Sequence, residues 1–168
     1  MSTSEIQPEE SVIKSGRLDD ERFMSLALAQ AAKAASMDEV PIGAVVVKDG
    51  QVIASACNQK ETLQDPSAHA ELLAIREAAR KLGNWHLDEC DLYVTLEPCS
   101  MCAGAMIQSR LNGVCYGTPS PKGGAVESSL RLFEQPGINH RPEVIQPVLQ
   151  ESCSAILKNY FAKKRKKG

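Results

Sequence analysis

Between Ile42 and Gly117 the chain changes element type so regularly that few folds remain open to it. The stretch "IGAVVVKDGQVIASA" gives two β-branched runs around Asp49-Gly50, a dipeptide suited to a tight hairpin because glycine tolerates positive φ. "HAELLAIREAARKLG" then sets alanine, leucine, glutamate and arginine at helical spacing and stops at Gly83, a good C-cap. "DLYVTL" reads as a buried strand and "CAGAMIQSR" as a helix starting near Cys99 with Pro98 in its first turn. "GVCYG" reads as another strand. Strands alternating with helices predict an α/β three-layer sandwich: one central mixed sheet flanked by helices, antiparallel at its hairpin and free to run parallel later. Such sheets deliver ligand contacts at strand ends and helix starts.

The rest of the chain fits around that core. A length of 168 residues predicts a single domain over residues 19–168, behind a polar lead, residues 1–18, that is expected to be disordered. Asp19 and Asp20 open a helical pattern with Phe23, Met24, Ala27, Leu28 and Ala31 on one side, running to about Ala35. After "GVCYG" come a loop with Gly123-Gly124, a short helix over Ser128 to Phe133, a strand over Val144 to Val148, and a long helix from Glu151. The first twenty residues carry five acids and no apolar core, unlike a secretory signal or a transit peptide. No apolar run approaches the roughly 18 residues of a membrane helix, so a cytoplasmic protein without membrane contact is expected.

That setting keeps the six cysteines reduced. Cys57, Cys115 and Cys153 sit among apolar residues and read as small buried hydrophobes. Cys99 and Cys102, in "TLEPCSMC", are different. A lone Cys-x-x-Cys suits zinc, redox chemistry or neither, but a redox pair gives no role to the upstream "HAE". Zinc does: His69, Cys99 and Cys102 make three ligands, and a three-ligand zinc keeps the open position of a catalytic site. Both ligand groups fall at helix starts, where the partial positive charge favours thiolates. Two thiolates neutralise the dication and leave it a weaker acidifier of water, which makes a nearby base useful. Glu71 is placed to be that base. A closed structural site would need a fourth ligand, and Cys90, Cys115, His86 and His140 lack the paired spacing of a knuckle.

The pairing of H-x-E with P-C-x-x-C is the known signature of zinc nucleobase deaminases. The chain resembles that superfamily. Its "EVPIGAVVV", "DPSAHAE", "LYVTLEPCSMCAGAMIQSR" and "GINHR", in this order between about Leu18 and about Arg165, are similar to the bacterial tRNA-specific adenosine deaminases. The resemblance implies a cytidine deaminase-like fold, a homodimer, and conversion of the wobble adenosine of a tRNA anticodon to inosine. It also implies roles: His69, Cys99 and Cys102 hold Zn2+, and Glu71 passes protons to N1 and to the departing amine. Asn58 would bond the purine, and Asn139 would lie near flanking anticodon nucleotides. In "YGTPSPKGGAVESS", Ser120 stands where those enzymes usually carry an aspartate beside the target sugar, just ahead of Lys122.

The net charge of −2 hides an asymmetry, since the last eleven residues, "KNYFAKKRKKG", hold six basic groups and no acid, leaving −8 on the remainder. A basic tail on an acidic body suggests a polyanion partner, which the resemblance makes the tRNA anticodon stem-loop. Tyr160 and Phe161 would supply stacking faces, one of them buried, while Lys164 and Arg165 meet phosphates. Trp85 is expected to pack. A free nucleobase or nucleoside deaminase acting on cytosine, guanine or cytidine would use the same metal set but has no use for the tail or "GINHR". A non-catalytic zinc-containing RNA-binding subunit would have no need of Glu71.

Overall fold

The computed structural model describes the backbone of residues 9–167 and the side chains from Asp19 onward. The hairpin forms as read: β1 (Gly43–Lys48) and β2 (Gln51–Cys57) pair antiparallel across Asp49 and Gly50. Both turn residues have positive φ, 51° and 74°, as a two-residue hairpin loop of this hand requires. β3 (Cys90–Leu96) joins the other side of β1 antiparallel, β4 (Gly113–Thr118) pairs parallel with β3, and β5 (Glu143–Val144) pairs parallel with β4. The sheet order is β2-β1-β3-β4-β5.

Helices cover both faces. α2 (Ala70–Leu82) and α3 (Ser100–Gln108) pack on one side, and α1 (Glu9–Ser36) and α4 (Gln150–Lys167) on the other. Along β1, Ala44 and Val46 enter the α2/α3 core while Val45 and Val47 enter the α1/α4 core. On β3, Leu92 and Val94 oppose Tyr93 in the same way. Covering both faces is why these strands read as unbroken apolar runs rather than as alternating ones. At Gly43 a Cβ would meet the Ala27 carbonyl oxygen at 2.1 Å and the Ala31 nitrogen at 2.5 Å, so α1 approaches β1 more closely than any side chain there would permit.

Several expectations need correction. α1 is helical from Glu9, ten residues ahead of the expected start at Asp19; the disordered lead expected over residues 1–8 lies outside the described residues. The short helix over Ser128 to Phe133 shrinks to a 3-10 turn, Leu132–Glu134. Its N–H groups go instead to the Glu97 carboxylate and to the carbonyls of Gly124 and Ala125, which lie five to seven residues back and hence off helical spacing. The strand expected over Val144 to Val148 keeps only Glu143–Val144, because Pro147 has no N–H to continue the ladder. Pro98 precedes the helix, since Cys99 is the N-cap of α3. Trp85 is 60% exposed and stacks on His86 at 3.6 Å, and Leu87, two residues on, is the side chain of this segment that enters the core. Among the described residues no helix is long and apolar enough to cross a membrane.

Candidate metal centre

β2, β3 and β4 all run in one direction, so their C-terminal ends open at one edge of the sheet. β2 hands the chain to Asn58, β3 to Cys99 and β4 to Ser120. At that edge α2 and α3 begin. His69 is the N-cap of α2 (φ −78°, ψ 149°) and Cys99 that of α3 (φ −77°, ψ 177°), both in extended backbone. Their carbonyls already accept the first helical bonds, from Leu73 and Ala103, and neither side chain caps its own helix. Imidazole and thiol are therefore free to face each other across the two helix starts. Cys102, one turn into α3, completes the set: His69 Nδ1 lies 3.6 Å from Cys99 Sγ and 3.5 Å from Cys102 Sγ.

Among the described residues, these three are the group of histidine, cysteine or acid side chains whose ligand atoms converge, all within 4.8 Å of one another. They fit zinc. With Zn–N near 2.05 Å and Zn–S near 2.3 Å at a tetrahedral angle, nitrogen and sulfur should stand about 3.6 Å apart, which matches both spacings. Nδ1 faces the sulfurs, which puts the ring proton on Nε2.

Glu71, at the second helical position of α2, is 4% exposed. Burial raises its carboxyl above the ordinary value, against its own backbone N–H and then the positive His69. The Cys99 thiol is pulled down to about 3, first by the hydrogen bond with Cys102 and, against the cost of burial, by the His69 contact. Cys102 is pushed up by the same shared bond and then by burial. His69 is raised, chiefly by its bond with Cys99. A thiolate, an imidazole and a protonatable carboxyl thus sit in one partly dry corner.

Asn58 is 6% exposed and fixed at the neighbouring strand end: Nδ2 donates to the Val40 carbonyl and Oδ1 accepts from the Lys60 N–H, both at 3.2 Å. Among the described residues these are its side-chain bonds, which leave one amide N–H and one lone pair over. Tyr160 and Lys164 line a groove of about 470 Å³ with Asn58 and Lys60. Tyr160 is half-buried, its hydroxyl donating to the Asp38 carbonyl, and Lys164 pairs with Asp38 at 2.8 Å. Phe161, 43% exposed, and Arg165 line a second groove of about 270 Å³ with Lys158 and Pro119, next to Ser120. Lys122 is exposed on the same loop. Asn139 is not brought to the cluster. It lies with Trp85, Ile107 and Arg110 at the C-terminal ends of α2 and α3, the ends away from His69 and Cys99. The His140 ring nitrogen Nε2 bonds the Leu111 carbonyl at 2.6 Å.

Sequence reasoning missed two buried acids. Glu39, 1% exposed, accepts from the Glu61 and Thr62 N–H groups and the Thr62 hydroxyl, tying down the loop between Asn58 and His69. Glu97, 3% exposed, does the same for the loop after β4. Burial alone would raise either carboxyl, but these hydrogen bonds outweigh it and hold both below the ordinary value. Neither acid carries a spacing or motif that marks it in the sequence.

Comparison with known proteins agrees with this geometry. Residues 18–165 match the family model of the MafB19-like deaminases. A tRNA-specific adenosine deaminase of Bacillus subtilis (strain 168) is 47% identical over 148 residues, covering 88% of this chain and 92% of that protein. One from Agrobacterium fabrum (strain C58) is 49% identical over 85% of this chain and 94% of its own length. A structure solved in studies of A-to-I editing by tRNA:A34 deaminases at the wobble position of transfer RNA superposes with a TM-score of 0.80. It is 49% identical and covers 82% of this chain and 99% of that one.

Proposed function

This chain belongs to the MafB19-like deaminases and, among them, to the tRNA-specific adenosine deaminases, and from that premise we infer that it hydrolyses the wobble adenosine of a tRNA anticodon to inosine and ammonia. One observation carries the chemistry: His69 Nδ1 faces both cysteine sulfurs, and the buried Glu71 stands beside them at the edge where Asn58 and Ser120 emerge. His69, Cys99 and Cys102 would hold Zn2+, which when bound supplies a Lewis acid that makes water nucleophilic at neutral pH.

The remaining work falls to the chain's own groups. Glu71 takes the proton that water gives up as C6 is attacked and delivers it to N1; it then takes the proton of the new C6 hydroxyl as the carbonyl forms and passes it to the amine, which leaves as ammonia. Asn58 uses its free N–H and lone pair to orient the purine. A base must leave its stack to reach this corner, and the two grooves on either side of α4 offer Tyr160 and Phe161 as faces for its neighbours. Lys60, Lys158 and Arg165 provide cations for phosphates there. Ser120 and Lys122 border the target sugar from the loop after β4. Asn139 is left out of the single-chain site.

The reading extends to a cytoplasmic homodimer, supported by the large apolar side chains left exposed on one chain: Leu63, Trp85, Met101 and Leu130. A substrate panel tests the function. Ammonia release from an anticodon stem-loop with adenosine at the wobble position, and none from free adenosine, cytidine or guanine, is the expected result. Turnover of free guanine or cytidine with an inert stem-loop would overturn it.

A further inference from the structure

The Glu97 carboxylate lies two residues ahead of Cys99, and donors from a single distant loop saturate it. Oε1 accepts the Ser120 N–H at 3.0 Å and the Ser128 hydroxyl. Oε2 accepts the N–H groups of Val126, Glu127 and Ser128 at 3.2, 2.8 and 2.9 Å. The backbone reinforces the junction, with Glu97 N–H donating to the Thr118 carbonyl and Ala125 N–H to that of Pro98. Gly124 closes over the carboxylate so tightly that a Cβ there would lie 2.3 to 2.6 Å from its atoms. One side chain thus holds both ends of the 120–128 loop against the turn that carries Cys99 and Cys102.

We propose that Glu97 is a positioning residue that fixes the loop bearing Ser120 and Lys122 at the working distance from the metal turn, and so governs how the target nucleotide is gripped. This rests on the functional reading that Ser120 and Lys122 face the substrate. The two oxygens hold different parts of the loop, Oε1 its substrate end and Oε2 its return. An amide cannot serve both. In Glu97→Gln the NH2 group at the Oε2 position would confront three N–H donors, whereas at the Oε1 position the Ser128 hydroxyl can turn to accept from it. Glutamine therefore keeps the Val126–Ser128 anchor and releases Ser120 alone. Gly124→Ala displaces the carboxylate and releases both ends.

The test uses the zinc-loaded chain and reads three quantities: bound zinc, amide hydrogen exchange, and kcat and KM on the anticodon stem-loop. For Glu97→Gln one zinc per chain is retained, the Ser120 amide exchanges about tenfold faster, and those of Val126 to Ser128 stay protected. KM rises about tenfold while kcat stays within about threefold, because binding is loosened and the proton chemistry is untouched. Gly124→Ala gives the same KM effect with all four amides released, and serves if Glu97→Gln fails to fold. Unchanged protection at Ser120 overturns the proposal, as does released protection with an unchanged KM, or a fall in kcat that tracks lost zinc. A wild-type chain that makes no inosine in the stem-loop fails the functional reading instead, and removes the substrate half of this proposal, with the exchange data still reporting on the loop.

Discussion

Glu39→Gln isolates the other buried carboxylate. Glu39 Oε1 accepts the Glu61 N–H at 3.0 Å, and Oε2 accepts both the N–H and the hydroxyl of Thr62 at 2.6 Å. Hydrogen bonds to an ionised group contribute about 1.5–3 kcal/mol each, against about 0.5–1.5 for neutral pairs. An amide downgrades the two bonds at Thr62 and turns its NH2 toward the Glu61 N–H, orphaning that donor. The donors belong to exposed residues, so water replaces part of the loss. A net cost of about 2–3 kcal/mol follows, and at about 2–4 °C per kcal/mol for a chain of this size Tm should fall by about 5–10 °C at pH 7. The carboxyl is held below its ordinary value in the folded state. Its contribution is therefore fully present above the unfolded carboxylate pKa and is lost as pH falls through the folded one. The gap between wild type and variant should be full at pH 7 and close progressively below the ordinary carboxyl value of 4.5. Thermal unfolding by circular dichroism across that range is the assay. A Tm within about 1 °C of wild type at pH 7, or a gap as wide at acid pH as at neutral pH, would refute the reasoning. Because Asn58 and His69 bracket the tethered loop, kcat/KM on the stem-loop should fall along with stability.

Four further outcomes are expected. Glu71→Ala keeps zinc and fold but loses about 10²- to 10⁴-fold in turnover, read from single-turnover rates. Elemental analysis finds one zinc per chain, and Cys102→Ser, which removes a buried ligand, loses it together with activity. Deleting Lys163 to Gly168 weakens stem-loop binding and flattens its dependence on salt, measured by fluorescence anisotropy. Lys164 contributes least to the change, because Asp38 already neutralises it. Ser120→Asp raises the RNA-to-DNA activity ratio on matched hairpins, since a carboxylate can accept from a 2′-OH that a deoxy sugar lacks.

What was legible in the sequence was whatever repeats locally. The hairpin at Asp49-Gly50, the stop at Gly83, and the strand runs flanking them are set by backbone preference and apolar spacing, and they stand where expected. The metal set was legible because histidine and two cysteines fall at predicted helix starts, and the structure brings those starts together. Glu39 and Glu97 were not, because an acid that holds a distant loop by its N–H groups leaves no period and no motif of its own. The same cause hid the irregular segment at Ser128 to Phe133, whose first donors are claimed by a residue far upstream. Trp85 misled because aromatic size argues for burial, while its place just past a helix C-cap decides for exposure. Where Asn139 lies was not legible either, because its position along the chain says nothing of which end of α3 it reaches.

The central claim is that this site acts on a wobble adenosine, and the most direct measurement is inosine-sensitive sequencing of tRNA from cells depleted of the chain. Wobble inosine should vanish on depletion, return with the wild-type chain, and stay absent with Glu71→Ala expressed at the same level. Wobble inosine that persists on depletion, or that Glu71→Ala restores as fully as wild type, would contradict it.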